Sequence, residues 1–143
     1  IGYFKKWPGT IASLVSIVIL YSVVELYIIS NVIFICFFVL IFTLSLFFVY
    51  KFSTYTKTHD SGIIVIDEFL GIYLIFIFFD FVFFKNSFLT ILLIFILFRF
   101  FDITKIFPAN IIDKKMSNSL GVLLDDFIAS IYTIIILYST RYI

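Results

Sequence analysis

The sequence predicts an all-α fold, an integral membrane bundle of about five membrane helices plus an interfacial segment, in one domain spanning residues 1–143. Three observations carry this expectation. Hydrophobic residues make up 64% of the chain and charged residues 13%, where a soluble domain carries about 25% charged residues. Mean hydropathy is +1.24. The apolar residues also fall into several runs near bilayer length, separated by short polar breaks, as expected of successive spans.

The first run, 10–29, follows Trp7-Pro8-Gly9-Thr10. Proline suits a first helical turn and a hydroxyl residue there can act as an N-cap. Gly9, Ala12, Ser13 and Ser16 repeat at i, i+3, i+4 and i+7, which predicts a small-residue face that a neighbouring helix can approach closely. Ser30-Asn31 separates this run from the second, 32–50, which holds the single Cys36; with no partner for an intrachain disulfide, that cysteine reads as a small apolar residue. The polar stretch KFSTYTKTHDSG precedes the third run, 63–84, and Lys85-Asn86-Ser87 precedes the fourth and shortest, 87–101.

Between Asp102 and Ser119 polar and apolar residues mix. IFPANIIDKKM within it predicts the interfacial segment, with Ile106, Phe107, Ile111 and Ile112 toward lipid and Lys114 and Lys115 toward anionic headgroups. The last run, 121–139, carries Asp126, Ala129, Ser130 and Thr133 as a small, polar stripe directed into the bundle. The 22 Phe follow a Phe, Ile, Lys and Asn bias of the kind an AT-rich genome produces, so single phenylalanines carry little positional meaning. A short segment before Ile1 is expected, since the chain opens without Met and without a signal-peptide pattern.

Threading these runs through a bilayer places Lys5, Lys6, Lys51, Lys57, Arg99, Lys105, Lys114 and Lys115 on one face and only Lys85 and Arg141 on the other. The basic face is expected to be cytoplasmic. Asp60, Asp67, Glu68, Asp102, Asp113, Asp125 and Asp126 gather on that same face, leaving Glu25 and Asp80 toward the other. Net charge is +1, so nothing draws the chain to nucleic acid. Acids and bases collected at one headgroup layer predict a metal and phosphate site.

Two acidic pairs, Asp67-Glu68 and Asp125-Asp126, stand near the starts of apolar runs. A charge at the centre of a membrane helix costs roughly 2.5–3.5 kcal/mol on insertion scales, so adjacent carboxylates call for a cation, water or an interfacial position. Mg²⁺ takes one or two carboxylates, waters and substrate phosphate oxygens. Asp60 and Asp67 lie seven residues apart, about two helical turns, with Gly71 further along the same stripe. Structural readings compete at each position: ion pairing at Asp67-Glu68, dipole stabilisation by Asp125-Asp126 in a first turn, and exposed pairs among Arg99, Asp102 and Lys105 at i, i+3 and i+6. The N-terminal end of the first helix offers free N–H groups to a phosphate. His59 is the single histidine, and there is neither a P-loop nor a Ser/His/Asp set, so nucleophilic hydrolase and two-histidine metal chemistry lack support.

Three blocks in order, PGTIASL at 8–14, IVIDEFLG at 64–71, and RFFDITKIFPANIIDKK continuing to LGVLLDDFIAS over 99–130, resemble the phosphatidylglycerophosphatase A family of bacterial membrane phosphatases. The resemblance implies an all-α bundle in the bacterial inner membrane, with its site on the cytoplasmic face. It also implies Mg²⁺ dependence and hydrolysis of the terminal phosphate of phosphatidylglycerophosphate to give phosphatidylglycerol. Carried over by position, the metal candidates are Asp60, Asp67, Glu68, Asp102, Asp125 and Asp126, with Asp67, Glu68 and Asp126 as catalytic candidates. Gly9, Thr10, Ser13, Arg99 and Lys105 are the candidates for holding phosphate, and the expected partners are the substrate and membrane lipids. The chain departs from the family where Ala12 and Ser130 replace common glycines, where Ile106 replaces proline, and in the turn Ser119-Leu120-Gly121, which is less glycine-rich. These changes touch packing and turns, and the acids survive.

Hydrolysis is expected through in-line attack by water, with a covalent aspartyl-phosphate route open. A CDP-alcohol phosphotransferase would also combine acids, Mg²⁺ and lipid headgroups, but its spaced Asp-Gly, Ala-Arg and Asp signature is absent. A small ion or proton transporter would place its acids nearer the midplane, in broken helices.

Overall fold

The computed structural model describes residues 7–26, 30–56, 65–78, 87–111 and 119–140. They form five long helices: α1 (Pro8–Glu25), α2 (Asn31–Thr56), α3 (Ile66–Ile77), α4 (Ser87–Thr104) and α5 (Ser119–Thr140). A short helical turn covers 109–111, and there is no strand among the described residues.

The third helix is the hub, packed against α1, α2 and α5; α5 also packs against α4 and α2, and α1 reaches α4. Over its twelve residues α3 buries Leu70, Gly71, Ile72, Tyr73, Ile75 and Phe76. In contrast, α2 exposes Val32, Ile33, Phe37, Val39, Phe47 and Phe48 among others. Both helices are apolar on all sides, because lipid tails are as apolar as a protein core and impose no polar outer face. Small and hydroxyl residues mark several of the helix contacts: Ser13, Ser16, Ser45, Thr90, Ser130 and Thr133 are all buried.

Most of these hydroxyls satisfy themselves within their own helix. Ser13 Oγ donates to Gly9 O at 2.9 Å, Ser16 Oγ to Ala12 O at 2.7 Å and Thr133 Oγ1 to Ala129 O at 2.8 Å, which lets them sit at dry interfaces at little cost. Other hydroxyls, Tyr73 and Ser130 among them, tie helices together. Tyr73 OH donates to Phe34 O at 3.0 Å, joining α3 to α2. Ser130 Oγ donates to Gly71 O at 2.7 Å, joining α5 to α3. Gly71 is required for that approach, since a Cβ there would lie 2.9 Å from the Phe98 ring and 3.0 Å from Ser130 Oγ.

The all-helical bundle agrees with the sequence expectation, while the number of spans is smaller. Among the described residues three helices are long and apolar enough to cross a membrane: Pro8–Glu25, Asn31–Phe52 and Leu123–Thr140. The expected third span, 63–84, is helical among the described residues only from Ile66 to Ile77. Twelve residues rise about 18 Å, short of a hydrocarbon core of about 30 Å. Surrounded by protein, α3 reads as a span from its apolarity alone. The first helix starts two residues before the expected boundary, at Pro8, and the second runs on to Thr56.

The fourth helix extends past the expected 101 to Thr104 and ends at Lys105, whose φ of 43° is left-handed and breaks the helical course. Beyond it Ile106, Phe107 and Ile111 are exposed while Ala109 is buried, and Tyr132 OH donates to Phe107 O at 2.6 Å, fastening this stretch to α5. Ile112, Lys114 and Lys115 of the expected interfacial segment lie outside the described residues.

Candidate active site

The site is assembled where the starts of α1 and α3 meet α5. Pro8 occupies the first turn of α1, and the first helical bond back to the entrance is Ile11 N–H to Trp7 O at 3.2 Å. The N–H groups of Gly9 and Thr10 therefore have no acceptor within the helix. Gly9 is buried against α3: a Cβ there would overlap Glu68 Oε1 and come within 3.2 Å of Arg99 Nη1. The glycine lets the start of α1 lie directly on a carboxylate and a guanidinium.

Asp67 and Glu68 form the first turn of α3, where acids favour the helix dipole. The Glu68 N–H donates to Asp67 Oδ1 at 3.0 Å, so one acid caps the backbone beside the other. Asp126, 4% exposed, comes from α5. Carboxylate oxygens of Asp67, Glu68 and Asp126 lie within 4.8 Å of one another. One turn along, Ser130 follows Asp126 by four residues and Gly71 follows Asp67 by four, and the hydrogen bond between them sets the register that brings the acids together. Ser130 Oγ is also 2.8 Å from Asp126 O, so its single proton is shared between the two helices.

The remaining charged candidates border this cluster. Arg99 Nη1 lies 2.5 Å from Asp102 Oδ2 and 3.9 Å from Glu68 Oε1, which places a cation at the edge of the acids. Lys105 Nζ pairs with Asp125 Oδ2 at 2.9 Å. Asp102 and Asp125 thus pair closely with basic partners, Glu68 reaches Arg99 at longer range, and Asp67, Glu68 and Asp126 face one another. Ser13 is fully buried with its proton given to Gly9 O, and Thr10 is half-buried on the next position of α1. Asp60 and His59 lie outside the described residues.

Three ionised carboxylates this close repel by roughly 3 kcal/mol per pair at an effective dielectric constant of 20. Arg99 offsets part of that charge. Glu68 Oε2 is buried without a hydrogen-bond partner among the described residues, an arrangement that costs about 1–3 kcal/mol or more when the group is charged. A hard divalent cation meets both deficits, since it takes carboxylate oxygens as ligands and brings two positive charges. The donor set therefore fits Mg²⁺, and Asp67, Glu68 and Asp126 are the residues that could hold it.

The sequence did not point to the contact between Gly9 and Glu68 or to the Lys105–Asp125 pair, which cross between helices. The small-residue face of α1 was the available signal for the first; for the second there was only complementary charge.

Residues 1–141 match the family of phosphatidylglycerophosphatase A. The chain is 36% identical over 141 residues to the phosphatidylglycerophosphatase A of Haemophilus influenzae, covering 99% of this chain and 83% of that protein. No solved structure matches it. With the match running through Gly9, Asp67, Glu68 and Asp126, the chain belongs to the phosphatidylglycerophosphatase A family.

Proposed function

We propose that this protein is a Mg²⁺-dependent phosphoric monoester hydrolase that removes the terminal phosphate of phosphatidylglycerophosphate, releasing phosphatidylglycerol and phosphate in bacterial phospholipid synthesis. The observation that carries the reading is the convergence of Asp67, Glu68 and Asp126 within 4.8 Å, beside the N-terminus of α1 and Arg99. Asp67 and Glu68 sit in the first turn of α3 and Asp126 about two turns into α5, toward one end of each helix, which supports a site nearer the headgroups than the midplane. A transporter would hold its acids nearer the midplane. In this reading the site faces the cytoplasmic side of the inner membrane, which the excess of basic residues expected on that face supports.

In this reading Asp67, Glu68 and Asp126 hold the ion, which when bound supplies Lewis-acid neutralisation of the phosphoryl charge. The N–H groups of Gly9 and Thr10 and the Arg99 guanidinium bind the phosphate oxygens, with Thr10 and Lys105 adding a hydroxyl and a second positive charge at the margin. A carboxylate of the cluster takes a proton from water as its oxygen bonds to phosphorus in line with the glycerol oxygen. The phosphorus–glycerol oxygen bond then breaks and that oxygen gains a proton. Asp102 and Asp125 hold Arg99 and Lys105 in place through their ion pairs.

The test is phosphate release from phosphatidylglycerophosphate by the purified protein, with Mg²⁺ and after chelation. Activity should vanish on chelation, return with Mg²⁺, and fall at least about 10²-fold in Asp67→Asn and Asp126→Asn, the scale of lost electrostatic stabilisation. Full activity in both variants would remove the assignment. Metal-coupled flux into liposomes without hydrolysis would favour the transporter.

A further inference from the structure

An apolar groove starts beside the carboxylate cluster and runs between α1 and α3. Ala12, Val15, Ser16 and Ile19 line it from α1, and Ile66 and Phe69 line it from α3, around a volume of about 220 Å³. Ala12 and Ser16 form a narrow floor, each 3% exposed. Ser16 Oγ donates to Ala12 O, so the hydroxyl in the floor is already satisfied and has no need of water. The walls at Val15 and Ile19 are open to the outside of the bundle.

Its two ends differ in chemistry. At one end Ile66 directly precedes Asp67, and Ala12 stands one turn beyond Gly9, which touches Glu68. From there the groove follows α1, a helix long and apolar enough to cross the bilayer, toward hydrocarbon depth. At about 220 Å³ the groove has less room than one turn of a helix about 10 Å across and 5.4 Å in pitch, roughly 420 Å³, so a stretch of one aliphatic chain is the occupant it fits.

We propose that this groove holds an acyl chain of the lipid whose phosphate enters the carboxylate cluster. The inference rests on the phosphatase reading above and adds to it a means of selection: the protein recognises a phosphate monoester joined to a hydrocarbon chain at the spacing between Asp67 and the α1–α3 groove. Moving a hydrocarbon chain out of water is favourable, but a substrate already in the bilayer has no such gain. The groove acts by position, holding the headgroup against the carboxylates.

The experiment uses the full chain in phosphatidylcholine nanodiscs with two photoreactive lipids, each carrying a diazirine midway along one acyl chain. One has the phosphatidylglycerophosphate headgroup and the other phosphatidylcholine. The first should label Val15, Ile19 or Phe69 at least fivefold more than the second and be displaced by unlabelled phosphatidylglycerophosphate, while Phe47 and Phe48 on the outer face of α2 label equally with both. Ser16→Phe, which fills the floor, and Val15→Trp, which narrows the exposed wall and spares the core, should each cut groove labelling at least fivefold. They should also lower, at least tenfold, the ratio of kcat/KM for the diacyl substrate to that for its deacylated headgroup. Equal groove labelling by both lipids, or an unchanged ratio in Val15→Trp, overturns the proposal. Groove labelling without phosphate release retains the groove and removes the phosphatase reading, whereas phosphate release with labelling spread evenly removes the groove alone.

Discussion

Replacing Gly9 by alanine separates the chemistry of the site from its stability. The added methyl would overlap Glu68 Oε1 and press on Arg99 Nη1 at 3.2 Å. Both contacted atoms end flexible side chains, so the backbone need not move; the Glu68 carboxylate must retreat by about 1 Å to restore van der Waals separation. A displacement of that size at a catalytic group costs about 10²-fold in rate, or about 2.7 kcal/mol of transition-state stabilisation. Helix propensity acts in the opposite direction, since alanine is better than glycine by up to about 1 kcal/mol in a helix. Gly9→Ala should therefore keep or raise the thermal unfolding midpoint in detergent while kcat/KM for phosphate release falls by about two orders of magnitude. Because the methyl acts through Glu68, the double variant Gly9→Ala/Glu68→Gln should be no worse than the weaker single variant. Activity within twofold of the parent, or losses that multiply in the double variant, would refute the argument that this glycine positions Glu68.

Three other perturbations probe the frame around the site. Gly71→Ala places a methyl against the Phe98 ring and Ser130 Oγ, where packed elements must give, and is expected to destabilise by about 1–3 kcal/mol, read as a lower unfolding midpoint. Tyr73→Phe leaves ring packing on Phe34 and Phe38 but removes the hydrogen bond to Phe34 O; unfolding should shift by about 1 kcal/mol with phosphate release nearly unaltered. Lys105→Ala strips Asp125 of its partner, and a cycle with Asp125→Asn should return a coupling of about 1 kcal/mol or less in unfolding experiments, weakening as salt is raised.

Much of the site was legible because local rules place each piece. Pro8 and Gly9 mark a helix start, and the acids were expected near the starts of apolar runs at one membrane face; Asp67-Glu68 do stand in the first turn of α3, which begins at Ile66 and not at 63, whereas Asp125-Asp126 lie about two turns into α5 and not in its first turn. The stripes Gly9/Ala12/Ser13/Ser16 and Asp126/Ala129/Ser130/Thr133 were read as faces turned into the bundle, and all of these residues are buried. Asp102 was grouped with the metal candidates from family position, yet its i, i+3 spacing to Arg99 also described the ion pair that forms. Asp125 sits about 100° around α5 from Asp126 and turns to Lys105. Neighbours in sequence thus divide between the cluster and its border because the helix points them in different directions.

The sequence by itself determined an all-helical membrane protein, the starts of its helices and the chemical type of its polar groups, since composition, proline and small-residue stripes act locally. Only the tertiary structure decided that α3 is a wrapped central helix and that Asp67, Glu68 and Asp126 share one point in space. In a chain apolar on every face, hydrophobicity gives no direction to a helix. Direction comes from close approach, at Gly9 against Glu68 and at Gly71 against Ser130, and those contacts exist only once helices distant in sequence have packed.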